Sequence, residues 1–167
     1  HCISSAASDV YKRQTNRRQV YSTDKMKMKK TYYLNKDVLP TIPVPHDCII
    51  KKIRIEHKWL IFTFDNDTSY YDSVRKLSPN IRNLILKYHL SNPEDFSVYK
   101  CSKTLKRILN KECYIRQNTR KITKLPRKRL EYLYHNVGYC SIITKLHSDA
   151  PVMIDAGVDY LVYEWIE

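Results

Sequence analysis

Twelve basic residues stand between Lys100 and Arg129, with Glu112 as the one acid among them, a net of +11 in thirty residues of chain. Clustering on this scale raises a local positive field and asks for a polyanion or an acidic protein. The residues expected to carry such contacts are Lys103, Lys106, Arg107, Arg116, Arg120, Lys121, Lys124, Arg127, Lys128 and Arg129. If they track phosphates, the contacts give affinity with little sequence preference, and Tyr99 and Tyr114 lie close enough in sequence to offer stacking surfaces. The competing reading is plainer. Residues 130–167 hold one base, Lys145, against six acids, so the basic stretch could be a solvated face or could pair internally with the acidic C-terminal strands. No helix-turn-helix, zinc-finger or aromatic RNA-binding signature decides between them.

Catalytic patterns are weaker. His46-Asp47-Cys48 sets three reactive side chains side by side, after Pro43 and Pro45 hold the chain extended. Neighbours on a strand point to opposite faces, and Cys-His dyads are assembled from distant segments, so a role at the start of a strand is expected here. His89-Leu90-Ser91 resembles the H-x-S element of two-histidine phosphoesterases, but the second copy that such enzymes need is absent. His57, His135 and His147 stand alone. Asp65 and Asp67 flank Asn66 where a turn wants them for backbone reasons. Glu164 beside Trp165 reads either as a buried carboxylate with a raised pKa or as a solvent-facing edge residue. Gly138 and Gly157 are the only glycines, so phosphate-cradling glycine loops are excluded. Cys48, Cys101, Cys113 and Cys140 form no C-x-x-C pair; no metal or cofactor is expected, and the thiols read as small, free, mostly buried hydrophobes.

These patterns favour a binding or interaction protein that is not an enzyme. Its expected partner is nucleic acid, held weakly and without sequence specificity. The alternatives are an immunity- or inhibitor-like protein that clamps an acidic protein surface, and a small hydrolase.

The chain carries 30 Lys and Arg against 17 Asp and Glu, a net charge of +13. Fourteen Tyr and frequent Lys, Ile and Asn beside two Gly match AT-rich coding and suggest a bacterial or phage source. Part of the lysine excess then reflects codon usage, which would spread lysines evenly and cannot explain the cluster. Residues 4–14, SSAASDVYKRQ, match the in-frame translation of a transposase adapter used in DNA libraries. Residues 1–25 are accordingly expected to be artificial or untranslated-region tail, with a native start at Met26 or Met28 and one globular domain over 26–167. That domain is of ordinary size. No apolar run approaches the roughly 20 residues a membrane helix needs, and MKMKKTYYLNK lacks the apolar core of a signal peptide. A cytoplasmic domain without membrane contact is expected.

The elements that must position these residues read mainly as β. Ile49–Ile55 and Trp59–Phe64 form a predicted hairpin around Glu56-His57-Lys58, with Leu60, Phe62 and Phe64 on one face and Lys52 and Arg54 outward. Thr68–Tyr71 reads as a short strand. Residues 79–90 fit a helix capped by Ser78-Pro79, but period two aligns Leu84, Leu86, Tyr88 and Leu90, and strand is preferred. Phe96–Cys101 follows as a strand, then a short amphipathic helix over Thr104–Asn110 with Ser102 as its cap. Cys113–Arg116 reads as a brief strand and Gln117–Lys128 as a basic loop. Leu130–His135 and Tyr139–Leu146 flank a turn at Gly138; Val152–Ile154 and Tyr160–Ile166 flank another at Gly157. In the last strand Leu161, Tyr163 and Trp165 share a face, and its apolar character predicts a central position. The expected fold is a single-domain antiparallel sheet sandwich or incomplete barrel with one short helix; the alternative is α+β with a helix at 79–90.

Overall fold

A computed structural model describes residues 27–65, 68 and 71–166. The expectation that residues 1–25 are tail lies outside them, as do Asn66 and Asp67 of the predicted turn. Along the chain run β1 (Lys27–Tyr33), β2 (Cys48–Glu56), β3 (Trp59–Phe64), α1 (Asp72–Arg75), β4 (Arg82–Leu90), β5 (Phe96–Cys101), α2 (Lys103–Leu109) and β6 (Tyr114–Gln117). A 3₁₀ segment (Thr119–Arg127), β7 (Glu131–Gly138), β8 (Ser141–His147) and β9 (Pro151–Ile166) complete it. The fold is mainly β and antiparallel throughout, with a few short helical pieces where one was expected.

Two sheets share β9. Its C-terminal half lies between β1 and β4, and β3 and β2 continue outward from β4. Its N-terminal half lies between β8 and β5, with β7 beyond β8 and β6 beyond β5. The first residues of β2 then meet β7 through Cys48↔Tyr132 and Ile49↔Glu131. Two residue pairs make a corner rather than a ladder, so the structure is an incomplete barrel and not a closed one.

Period two explains the core. Leu84, Leu86, Tyr88 and Leu90 are all fully buried on one face of β4, which settles 79–90 as strand and removes the helical alternative. Leu60, Phe62 and Phe64 of β3 and Leu161, Tyr163 and Trp165 of β9 face the same interior. Burial of apolar surface on this scale is the main drive to fold.

Four local expectations are corrected. The predicted turn at Gly157 does not exist, because β9 runs unbroken for 16 residues. Gly157 is required for another reason: the Asp95 carboxylate occupies the space a Cβ would take, and Gly157 N–H donates to the Asp95 carbonyl at 2.8 Å. The β7–β8 turn falls at Tyr139-Cys140, with Cys140 at φ 47°, and β7 reaches Gly138. Thr68 and Tyr71 lie in no strand, and Ser69 and Tyr70 are outside the described residues. The basic loop 117–128 is largely 3₁₀, and β1 was not anticipated at all.

Candidate functional site

The basic stretch is positioned by local caps and one strand pairing. Ser102 Oγ accepts from Leu105 N–H (3.3 Å) at the start of α2, and Asn110, in the left-handed conformation (φ 50°), ends it. β6 then pairs with β5 from Tyr114 to Gln117. Asn118 Oδ1 accepts from Arg120 N–H (2.9 Å) and opens the 3₁₀ segment, whose Ile122 is fully buried among core residues. The groove beneath α2 is different. It is lined by Lys145 and His147, the outward members of β8, and has a volume of about 450 Å³. One continuous basic sequence therefore reaches two sides of the same sheet.

Ion pairing divides the predicted residues into two groups. Asp149 gathers Lys100 (3.0 Å), Lys128 (3.4 Å) and Lys103 (3.9 Å). Glu112 takes Lys145 (3.4 Å), Lys106 (3.9 Å) and the hydroxyl of Tyr114 (2.7 Å), and Arg129 pairs with Glu131 at 2.9 Å. The hydrogen bond from Lys100, with the charges of Lys100 and Lys128, holds Asp149 down at about 2. The Tyr114 hydrogen bond, aided by Lys145 and Lys106, likewise lowers Glu112. Through Asp149 and Glu131 the acidic C-terminal residues neutralise Lys100, Lys103, Lys128 and Arg129, while Glu112 does so from within the stretch. The remaining cations do not share in it: Arg107, Lys111, Arg116, Arg120, Lys121, Lys124 and Arg127 are exposed and have no carboxylate within ion-pair distance among the described residues. Beside them, Ile49, Ile50, Pro126, the cations Lys51, Arg127, Lys128 and Arg129 and the acid Asp65 line an open groove of about 610 Å³. Tyr114 is engaged by Glu112, whereas Tyr99 lies opposite Arg116 on β5.

The other chemistry-bearing residues are accounted for structurally. His46 Nδ1 and Asp47 Oδ2 are 2.8 Å apart on the surface, so these neighbours do meet, because Asp47 turns through φ 62° before β2 begins. Cys48 does not join them. Its thiol is buried, and desolvation with the nearby Asp47 charge pushes it up to about 12. A thiolate nucleophile there is disfavoured. His89 Nδ1 (3.3 Å) and Ser91 Oγ (2.7 Å) both reach Asp159, leaving Ser91 bonded to the acid and not to the imidazole. His89 is also the second member of a row, Trp59–His89–Tyr160–Tyr33, that crosses four neighbouring strands in register. Such cross-strand rings stabilise a sheet. Glu164 is buried, as one of two expectations had it, but its pKa is lowered: burial pushes it up, and Lys87 (2.8 Å) and Lys27 (3.5 Å) more than offset that. Among the described residues no group of three His, Cys, Asp or Glu could hold a metal ion.

Sequence reasoning missed two features. One is the buried network in which Tyr132 bonds Tyr88 (2.6 Å) and His135 Nδ1 (2.7 Å), and Tyr88 bonds Thr144 (2.9 Å). The other is Asp149, whose lysine partners Lys128 and Lys100 lie 21 and 49 residues away along the chain. No protein-family model matches this chain, and no curated protein or solved structure is significantly similar to it.

Proposed function

We propose that the protein is a binding protein, not a catalyst, which holds the phosphate backbone of nucleic acid weakly and without sequence preference. The observation that carries this reading is the set of exposed cations on β6 and the 3₁₀ segment, Arg116, Arg120, Lys121, Lys124 and Arg127, which lack carboxylate partners among the described residues. Unneutralised Arg and Lys on a local surface are the electrostatic footprint of phosphate recognition. Arg127 also lines the adjoining groove. Against it stands edge protection, since charged residues on a terminal strand also prevent sheet-to-sheet pairing. That role suits Arg116 on β6; it does not account for Arg120, Lys121, Lys124 and Arg127, which lie in no strand. The four described thiols are free, which fits a reducing cytoplasm as the place of action.

Salt decides the matter. Fluorescence anisotropy with single- and double-stranded oligonucleotides should show affinity falling steeply with salt, because each neutralised phosphate releases counterions. Replacing Arg116, Arg120, Lys121, Lys124 and Arg127 together by Gln should reduce the log–log slope by about 0.7–0.9 for each phosphate no longer neutralised, while thermal unfolding stays near wild type. Absence of binding at low salt, or a slope unchanged by the five substitutions, would sink the reading.

A further inference from the structure

α2 leaves its aliphatic stripe uncovered. A helix packed on a domain turns its apolar stripe to the core, yet no residue of α2 is buried, and Leu105, Ile108 and Leu109 are 37, 70 and 50% exposed. Its lysines are exposed as well, with Lys103 and Lys106 each 3.9 Å from a carboxylate, of Asp149 and Glu112 respectively. A helix of seven residues does not persist in water by propensity alone. This one is kept formed by caps at both ends, by the bond from Ser102 N–H to Cys113 C=O (2.8 Å) and by those two carboxylates. The result is a preformed helix that offers aliphatic side chains at i, i+3 and i+4 to the outside, with Ile115 of β6 (46% exposed) close by in sequence. That spacing is how a helix anchors in an apolar groove.

We propose that α2 is a docking helix that inserts Leu105, Ile108 and Leu109 into an apolar groove on an acidic protein. Charge selects the occupant. Arg107 on α2, Lys111 just after it and Arg116 on β6 are exposed and lack carboxylate partners among the described residues, so a second copy of this chain would bring the same cations together and be repelled. Nucleic acid satisfies the cations but has no apolar cavity for isoleucine and leucine. An acidic rim around an apolar groove satisfies both. A stable complex covers about 800 Å² on each partner, more than these side chains supply. They therefore act as the central anchor, with the cations and Ile115 forming the surrounding contact. The anchor residues Leu105, Ile108 and Leu109 take no part in the phosphate-binding reading, and Arg116 is the one residue the two readings share, so either can fail alone.

Calcium-loaded calmodulin, an acidic protein with Met-lined apolar grooves, is a suitable probe. Titration calorimetry of the full chain should show calcium-dependent binding that Leu105→Ser, Ile108→Ser and Leu109→Ser together weaken by at least about tenfold. The single variant Ile108→Asp, at the most exposed of the three positions, should weaken it similarly and guards against a folding defect in the triple variant. Arg107→Gln with Lys111→Gln should cause a smaller loss that disappears at high salt. No calcium-dependent binding at about 100 μM probe, which corresponds to only a weak complex, overturns the proposal. So does binding that survives the serine substitutions. Adsorption to phosphatidylserine vesicles that vanishes in the serine variant, without binding to calmodulin, reassigns the face to lipid; thermal destabilisation of Ile108→Asp would show the face to be packed within the protein.

Discussion

β9 and the stretch from Lys103 to Arg127, which joins the sheet only through β6, solve opposite problems. β9 touches strands on both edges along its whole length, and Leu161 through Trp165 are buried without exception, including the glutamate among them. From Lys103 to Arg127 only Ile122 is buried, and α2 contributes nothing to the core. Burial makes a residue's chemistry structural, since a group surrounded by protein can act only on its neighbours. Glu164 shows this, fixed between Lys27 and Lys87. Apart from Lys103 and Lys106, which pair with Asp149 and Glu112, the basic stretch keeps its charges and aliphatic side chains in solvent, where they contribute little to stability and remain open to a partner. Stability and recognition are thus separated along the chain.

The largest effect expected from that separation comes from a matched pair of truncations. Phe62 is fully buried and meets Tyr88 and Tyr132 edge-on at 5.2 and 6.0 Å. Phe62→Ala should cost roughly 3–5 kcal/mol in urea unfolding, from the forfeited transfer energy and a cavity. Ile108→Ala should fall within about 0.5 kcal/mol of wild type, as surface changes do. A cost above about 1 kcal/mol for Ile108→Ala would erase the contrast between the two regions.

Next in size is a pH effect confined to the core. His135 bonds Tyr132 through Nδ1, its Nε2 has no partner among the described residues, and burial pushes its pKa down to about 4 from 6.5. The folded state holds it neutral while the unfolded chain takes up a proton near pH 6.5. Stability from this group is therefore full above pH 6.5, declines as pH falls toward 4, and changes no further below that. The decline should amount to a few kcal/mol at most, since one pKa unit is about 1.4 kcal/mol. His135→Gln should flatten the window between pH 6.5 and 4. Asp149 behaves differently: its lowered pKa contributes above pH 3.8, and that contribution is lost as pH falls through about 2. Equal slopes for wild type and His135→Gln between pH 4 and 6.5 would show that the network does not govern acid unfolding.

How much of this was legible depended on whether the determining contacts were local. β4 could be read because Leu84, Leu86, Tyr88 and Leu90 alternate with polar residues, and alternation is all a half-buried strand needs. α2 could be read from its period and its Ser102 cap, but not that its aliphatic side is left uncovered, which depends on where the rest of the chain packs. β1 was hidden because Lys27, Lys29 and Lys30 blur its pattern, as lysines on an edge strand do. Gly157 was misread because glycine usually marks a turn, and here its missing Cβ makes room for Asp95, far earlier in the chain. His135 looked solitary although its partner Tyr132 is three residues away on β7, because a register shift after Tyr132 puts the two on one face and the further members, Tyr88 and Thr144, come from other strands. The basic cluster itself was plain in sequence; which of its members are neutralised was not.

The smallest expected effect tests that division most directly. Asp149 holds Lys100, Lys103 and Lys128 at the point where α2 and the 3₁₀ segment approach the sheet, with each of these groups partly exposed to solvent. Solvent-exposed ion pairs contribute little, so Asp149→Asn should cost less than about 1 kcal/mol in global unfolding, and less still at high salt. Its local consequence should be larger than its global one. With no apolar side chain buried, α2 depends on this carboxylate and on Glu112 to stay against the sheet, so amide exchange in Lys103–Leu109 should accelerate while β9 is unaffected. Removing the carboxylate also frees three lysines for phosphate contacts, and the salt slope for oligonucleotide binding should steepen by up to about 0.7–0.9 for each lysine recruited. Faster exchange without a steeper slope would keep Asp149 as a structural latch and remove its neighbours from the binding surface. If neither changes, the carboxylate is a bystander, and α2 is held by its caps and by the Ser102–Cys113 bond alone.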